Sequence, residues 1–259
     1  RKLFMKDNEN NKEVIFDVQY IFPNQGNSFD LICSQYNSNA PVLGLAQAYY
    51  MKNGLPITDP ASGYDAKHPY LGRDPRLQGT ITFPTDTFRG LFVDSSRFAI
   101  TGFGVKKFSV YDTLTPSDTE KDLKGGQSET NFIVLRYGDV LMMYAEAQNE
   151  AVGPDATVYA ALNQIRDRVK MPHIPAGLSQ EQMRKEIQHE RRVEFAGEGS
   201  YYTDIRRWKT AEKELNAKIY NYAGKLLEER RFNPNRDYWW PIPQTEMDLN
   251  ANLAQNPRY

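Results

Sequence analysis

The sequence predicts a mainly α-helical protein, with helical hairpins in its second half and a loop-rich first half containing short β-hairpins. Three observations predict it. Residues 1–130 hold 11 of the 17 glycines and 8 of the 15 prolines, which punctuate the chain too often for long helices. From residue 131 apolar side chains recur at intervals of three and four, the period of an amphipathic helix. Ser179-x-x-Gln182 is a capping box, and Leu178 with Met183 has the spacing of a hydrophobic staple.

Taken in order, Glu13 to Tyr20 alternates Val14, Phe16, Val18 and Tyr20, the pattern of a half-buried strand that Pro23 ends. Ala40 to Lys52 carries Leu45, Ala48, Tyr49 and Lys52 at helical spacing after Pro41, with Gly54 as its stop. Thr80 to Phe83, Phe98 to Thr101 and Val105 to Tyr111 are β-prone runs separated by glycines, which predicts a small hairpin or irregular sheet. Pro116 to Gly126 is polar and reads as a solvated loop. Phe132 to Glu150 predicts a long helix with Val134, Tyr137, Leu141, Tyr144, Ala145 and Gln148 on one stripe. Asp155 caps a second, in which Val158, Leu162, Ile165 and Val169 recur, and Met171-Pro172 ends it. A third runs from Gln180 to Ala196 before Gly197, and Glu198 to Trp208 adds a short one. Trp239-Trp240-Pro241-Ile242-Pro243 is extended, because prolines two apart exclude a helix.

Composition removes several functions. The 259 residues carry a formal charge of -1, spread evenly over the two halves, so no basic face exists for counterion release and nucleic acid is not an expected partner. One cysteine, Cys33, and three scattered histidines exclude a disulfide frame and a cysteine-based metal site, and no cofactor motif appears. The longest apolar run, Val140 to Ala145, is far below the roughly 20 residues that span a bilayer. Surface scaling for 29.8 kDa predicts roughly 11,600 Å² accessible when folded, which would bury about 73% of the unfolded surface.

Glu186, Glu190, Glu194 and Glu198 recur every four residues, interleaved with Arg191, Arg192, Arg206 and Arg207, which reads as a structural ion network and not as acid–base machinery. His189-Glu190 lacks the second histidine of a zinc protease pair, and no nucleophile elbow or phosphate loop is present. Aromatics are more suggestive, since sugar rings stack on them while amides and charged groups satisfy the hydroxyls. Two loops combine both types: Gln25, Asn27, Phe29, Tyr36, Asn37 and Asn39 in one, Tyr64, His68 and Tyr70 in the other. Trp208, Trp239 and Trp240 are expected to pack in the core.

The second half also carries a run of motifs. Leu135-Arg136-Tyr137-Gly138-Asp139-Val140-Leu141 is followed by Tyr144-Ala145-Glu146-Ala147, Ala161-Leu162-Asn163-Gln164-Ile165-Arg166-Asp167-Arg168, Glu190-Arg191-Arg192-Val193-Glu194-Phe195 and Asp204-Ile205-Arg206-Arg207-Trp208. With Arg73-Asp74-Pro75-Arg76-Leu77 upstream and Pro241-Ile242-Pro243-Gln244-Thr245-Glu246 at the tail, this succession resembles the SusD/RagB family of outer-membrane nutrient-binding lipoproteins. The resemblance implies tetratricopeptide-like helical hairpins and a longer parent protein, of which this chain is the C-terminal part. It also implies that the membrane is reached only through an N-terminal lipid anchor absent from this chain.

What the resemblance implies for function is non-catalytic capture of an oligosaccharide or other nutrient at the cell surface, for a SusC-like TonB-dependent outer-membrane transporter. Arg136, Glu146, Arg166, Glu190, Arg192, Asp204 and Arg207 are then expected as partners in ion pairs between helices. Ligand contacts are expected in residues 1–130, with 131–259 as the helical part of one unit. The alternative is a helical-repeat scaffold whose loop aromatics meet a protein; a hydrolase is a more distant third.

Overall fold

The computed structural model describes residues 1–29, 32–33, 37–88, 91–92, 98–109 and 124–259. It is mainly helical, with small two-stranded antiparallel sheets. Strand β1 (Val14–Val18) is followed by the short helices α1 (Leu43–Ala48) and α2 (Pro75–Thr80). The strand pieces β2 (Ile81–Thr82), β3 (Thr87–Phe88), β4 (Leu91–Phe92) and β5 (Gly104–Val105) pair as β2–β5 and β3–β4. Helix α1 is half the predicted length, because Tyr49 turns to extended backbone and sends the chain into a bridge between Met51 and Arg73. Phe98 to Thr101 is a turn and not a strand. The predicted loop from Pro116 lies largely outside the described residues; its end, 124–126, is a turn.

Strand β6 (Phe132–Arg136) occupies what the periodicity assigned to the start of a helix. Its aromatic and β-branched residues suit a ladder, and β1 supplies the partner, Val18 opposite Phe132. Helix α3 (Tyr137–Val152) therefore begins five residues later than predicted. Glu13 sets the boundary: its carbonyl accepts from Tyr137 N at 2.7 Å and its carboxylate from Gly138 N at 3.0 Å, serving two amides that a helix start leaves unpaired. A Cβ at position 138 would stand 2.6 Å from the Arg136 guanidinium, so any larger residue there would have to displace that buried, ion-paired group. The later start shifts the buried stripe to Gly138, Met142, Ala145 and Asn149, and leaves Tyr137 and Tyr144 exposed.

Helix α4 (Ala156–Arg168) starts where Asp155 accepts from Thr157 N and Val158 N. Helix α5 (Gln180–Glu194) has both halves of its capping box, and Gly197 beyond it adopts φ 82°. Met142, Val158, Leu162, Ile165, Met183 and Ile187 meet at the centre of the three-helix packing, with Leu178 against them. Asn149 and Gln180 exchange side-chain amides for each other's carbonyl, at 3.1 and 2.6 Å, tying α3 to the first turn of α5. The chain continues through α6 (Tyr201–Arg207), α7 (Ala211–Leu215), the hairpin β7 (Lys218–Tyr220) and β8 (Leu226–Glu229), and α8 (Gln244–Leu249). No helix is long and apolar enough to cross a membrane among the described residues.

The accessible surface is 14,958 Å², about 3,300 Å² above what scaling gives for this mass, so about 65% of the unfolded surface is buried and not the 73% expected. Part of the exposed surface is apolar. The β1–β6 sheet turns Phe16, Val18, Phe132 and Val134 outward, each more than 40% exposed, so β1 is not half-buried as its alternation predicted. Beside it α3 exposes Tyr137, Val140 and Tyr144. Trp239 and Trp240, expected in the core, are 61% and 66% exposed, because the proline-rich segment runs along the surface with Tyr202 and Arg206 as its neighbours.

Candidate functional site

A cleft of about 460 Å³ opens in the first half, inside the usual range of roughly 300–1,000 Å³ for small-molecule sites. Backbone pairing builds it. Lys52 N donates to Gly72 O at 2.8 Å and Asp74 N to Tyr50 O at 2.8 Å, so residues 50–52 run antiparallel to 72–74 and the intervening loop closes on itself. That loop is held by its own polar side chains. Asn53 donates to the carbonyls of Ala61 and Ser62, Asp59 caps the turn at Pro60–Ser62, and the Asp65 carboxylate accepts from Lys67 N and from His68 Nδ1, each at 2.8 Å.

Tyr70, Leu71 and Phe83 form the apolar side of the cleft, with Lys52, Lys67, His68, Gln78 and Thr85 around it. Tyr70 stacks on Phe83, ring centres 4.3 Å apart, and meets Phe103 edge-on, so one face of its ring is already used for packing. Burial pushes its hydroxyl up to about 12, so it stays a neutral donor. Leu71 is 74% exposed at the mouth. Below them lies Arg73, 5% exposed. Its guanidinium donates to the carbonyls of Pro69 at 2.6 Å, Ala46 at 2.7 Å and Tyr49 at 2.5 Å, and lies 5.7 Å from the centre of the Tyr64 ring. Its Nε has no partner among the described residues, and burial lowers its pKa.

The structure brings His68 and Tyr70 into one cleft and places Tyr64 behind it through Arg73. The other loop does not join them. Gln25 is exposed on a turn that bridges to Ile21. Asn27 is occupied by Thr130 O and Phe29 N, and Phe29 packs edge-on against Phe108 beside a second pocket of about 250 Å³ that Tyr20 and Phe132 also line. Asn37 is 7% exposed and donates to Phe103 O, and Asn39 donates to Cys33 Sγ. Tyr36 lies outside the described residues. Lys52, Gln78 and Phe83 were not among the predicted contacts. Nothing local marks them, since they reach the cleft through the pairing of 50–52 with 72–74 and through α2.

In the second half the charged side chains form two ion-pair clusters, one around Arg136 and one around Asp204. Arg136 pairs with Glu194 at 2.9 Å, Glu198 at 2.8 Å and Glu13 at 3.2 Å, and its guanidinium lies 4.4 Å over the Phe195 ring. Arg76 reaches in from α2 to Glu190, Glu194 and Asp74, and Lys107 to Glu198. Burial alone would raise the Glu194 carboxyl, but Arg136, Arg168, Arg76 and Lys107 together hold it well below the carboxylate range. Asp204 takes Arg191 at 2.7 Å and Arg207 at 2.9 Å, and Arg207 also grips Glu146. Arg166 approaches Glu190 only to 3.7 Å and Glu186 to 3.9 Å. Arg192 stands apart, 3.6 Å from Glu214 with both side chains about 30% exposed. No group of three metal-ligating residues occurs among the described residues.

Helical hairpins knit by buried ion pairs, with a cleft in the loops packed against them, define a mainly helical protein class. The family comparison makes this specific. The sequence profile of the SusD family matches residues 4–259, and the chain belongs to that family. SusD-like protein P2 of Formosa agariphila is 34% identical over 143 residues, 52% of this chain and 27% of that protein. SusD-like protein P38 of the same organism is 23% identical across the whole chain and 51% of its own length. Two crystal structures from Bacteroides fragilis superpose with TM-scores of 0.80 at 27% identity. One is a SusD-like protein, covering 99% of this chain and 56% of its own; the other is a SusD-like carbohydrate-binding protein, covering 94% and 55%. The chain thus spans about half the length of these full-chain matches, and its helical fold is the tetratricopeptide-like fold of its neighbours.

Proposed function

We propose that this chain is the glycan-contacting part of a non-catalytic, surface-exposed outer-membrane lipoprotein that captures oligosaccharide and passes it to a SusC-like TonB-dependent transporter. The observation that carries the reading is the cleft, in which an apolar side built from Tyr70, Leu71 and Phe83 faces hydrogen-bonding and charged groups. That pairing suits a sugar ring, which offers C–H faces and hydroxyl edges together. Binding fits this cleft better than hydrolysis does. Its one lining carboxylate, Asp74, is held by Arg76 at 2.6 Å, whereas glycoside cleavage takes two carboxylates across the bond. Family membership and the carbohydrate-binding neighbour support the same ligand class. Residues 1–130 supply the ligand-proximal part of the unit and 131–259 its helical support.

The outward apolar face of β1, β6 and α3 favours a second reading, a scaffold whose partner is protein. Calorimetric titration with a panel of oligosaccharides, run with a reducing-end assay, separates the readings. Saturable binding without release of reducing ends is expected; no binding by any oligosaccharide would overturn the first reading, and new reducing ends would make the protein an enzyme.

A further inference from the structure

We infer that the cleft beside Tyr70 selects acidic oligosaccharides, those bearing a carboxylate or a sulfate, over neutral ones; this rests on the glycan reading above and goes beyond it in naming the charge of the ligand. Charge is balanced differently in two places in the same molecule. In the interior network of the second half each cation faces an acid: Arg76, Lys107, Arg136 and Arg168 meet Asp74, Glu190, Glu194 and Glu198 at hydrogen-bonding distance. Those carboxylates pair with the cations there, although Lys107, Arg136 and Arg168 also line a pocket of about 350 Å³ beside Glu194.

The cleft is charged differently. Lys52 and Lys67 line it, and neither makes an ion pair with a described residue. Arg73 beneath is a buried cation whose hydrogen-bond acceptors among the described residues are three backbone carbonyls and no carboxylate, with Nε left over. A buried charge met only by dipoles keeps its field, because the low-dielectric surroundings screen it little. The acids nearby already accept hydrogen bonds. Asp74 belongs to Arg76, and Asp65 holds His68 and the Lys67 amide. Lys52, Lys67 and Arg73 therefore line an opening whose one lining carboxylate, Asp74, is paired with Arg76, and an apolar side with one sign of charge around it concentrates ligands of the opposite sign. Lys52 and Lys67 would meet the anionic group at the mouth, and Arg73 would act from below without touching it.

The test titrates the protein calorimetrically with two matched pairs: an oligogalacturonate and its methyl ester, and a sulfated galactan oligosaccharide and its desulfated form. At least one acidic member should bind about tenfold more tightly than its neutral twin, and which one does so distinguishes a uronate from a sulfate site. Its affinity should fall as salt is raised, and the double variant K52Q/K67Q should weaken it by about fivefold while the melting temperature stays unchanged. Equal affinity for acidic and neutral twins, or an unaffected double variant, would overturn the charge selection while leaving glycan capture standing. Failure of all four, and of neutral oligosaccharides generally, would overturn both.

Discussion

The interior network around Arg136 and the cleft above Arg73 both gather cations, yet in one they are paired with acids and in the other they are not paired with any described acid. In the first, Arg76, Lys107 and Arg136 are buried and each meets a carboxylate, which fixes how α2, β6 and α5 sit together. In the second, Lys52 and Lys67 line the mouth and form no ion pair among the described residues. The same residue types therefore serve the fold in one region and recognition in the other, and what separates them is the partner each charge already has.

The contrast can be broken most severely at Arg136. Arg136→Ala strands Glu194, Glu198 and Glu13 without their shared cation, and should cost about 3–5 kcal/mol in urea unfolding. A loss under 1 kcal/mol would mean the network carries little of the fold. A smaller effect belongs to His189, whose ring stacks on Tyr50 at 3.7 Å; burial and the charges of Arg76, Arg166 and Arg192 push it down to about 3. Its folded value lies below its unfolded one, so the stability it contributes is present above pH 6.5 and is lost as pH falls. The slope should be up to about 1.4 kcal/mol per pH unit between pH 6.5 and 4.5, and His189→Gln should flatten the melting temperature across that window. An unchanged profile in the variant would place the titration elsewhere.

Arg192→Ala should be milder, below about 1 kcal/mol in the same assay, because its pair with Glu214 is partly exposed and long. A loss as large as that of Arg136 would erase the distinction between the buried network and its rim. The mildest change should come from Lys52→Gln and Lys67→Gln singly, within about 0.5 kcal/mol of the parent, as for surface substitutions that remove no contact. A destabilisation beyond 1 kcal/mol would show the lysines to be structural.

How much of this was legible in the sequence follows the range of the interactions. Helix α5 could be read almost to the residue, because its capping box, staple and Gly197 act within a few positions of one another. The start of α3 could not, since Phe132 to Arg136 has apolar spacing suited to helix or strand, and the deciding partner, β1, lies more than a hundred residues away. The burial phase of α3 was missed with it. The acidic row at 186–198 pointed to ion pairing from spacing alone, but Arg76 and Lys107 enter that network from distant segments. At the cleft, composition singled out His68, Tyr70 and Tyr64. Lys52 and Phe83 depend on long-range pairing, and the charge left on Arg73 depends on which acceptors surround it, which no spacing records. Asn27 and Asn37 look the same in sequence as ligand-binding amides, yet their hydrogen bonds are spent on the backbone.

The central claim is that ligand is taken up by the cleft of the first half and not by the helical half. Hydrogen exchange of the protein with and without a saturating oligosaccharide tests it most directly. Slowed exchange confined to residues 50–53 and 64–78 and to the Phe83–Thr85 segment is the predicted result. Protection centred on α3 to α5, with the cleft unchanged, would contradict it.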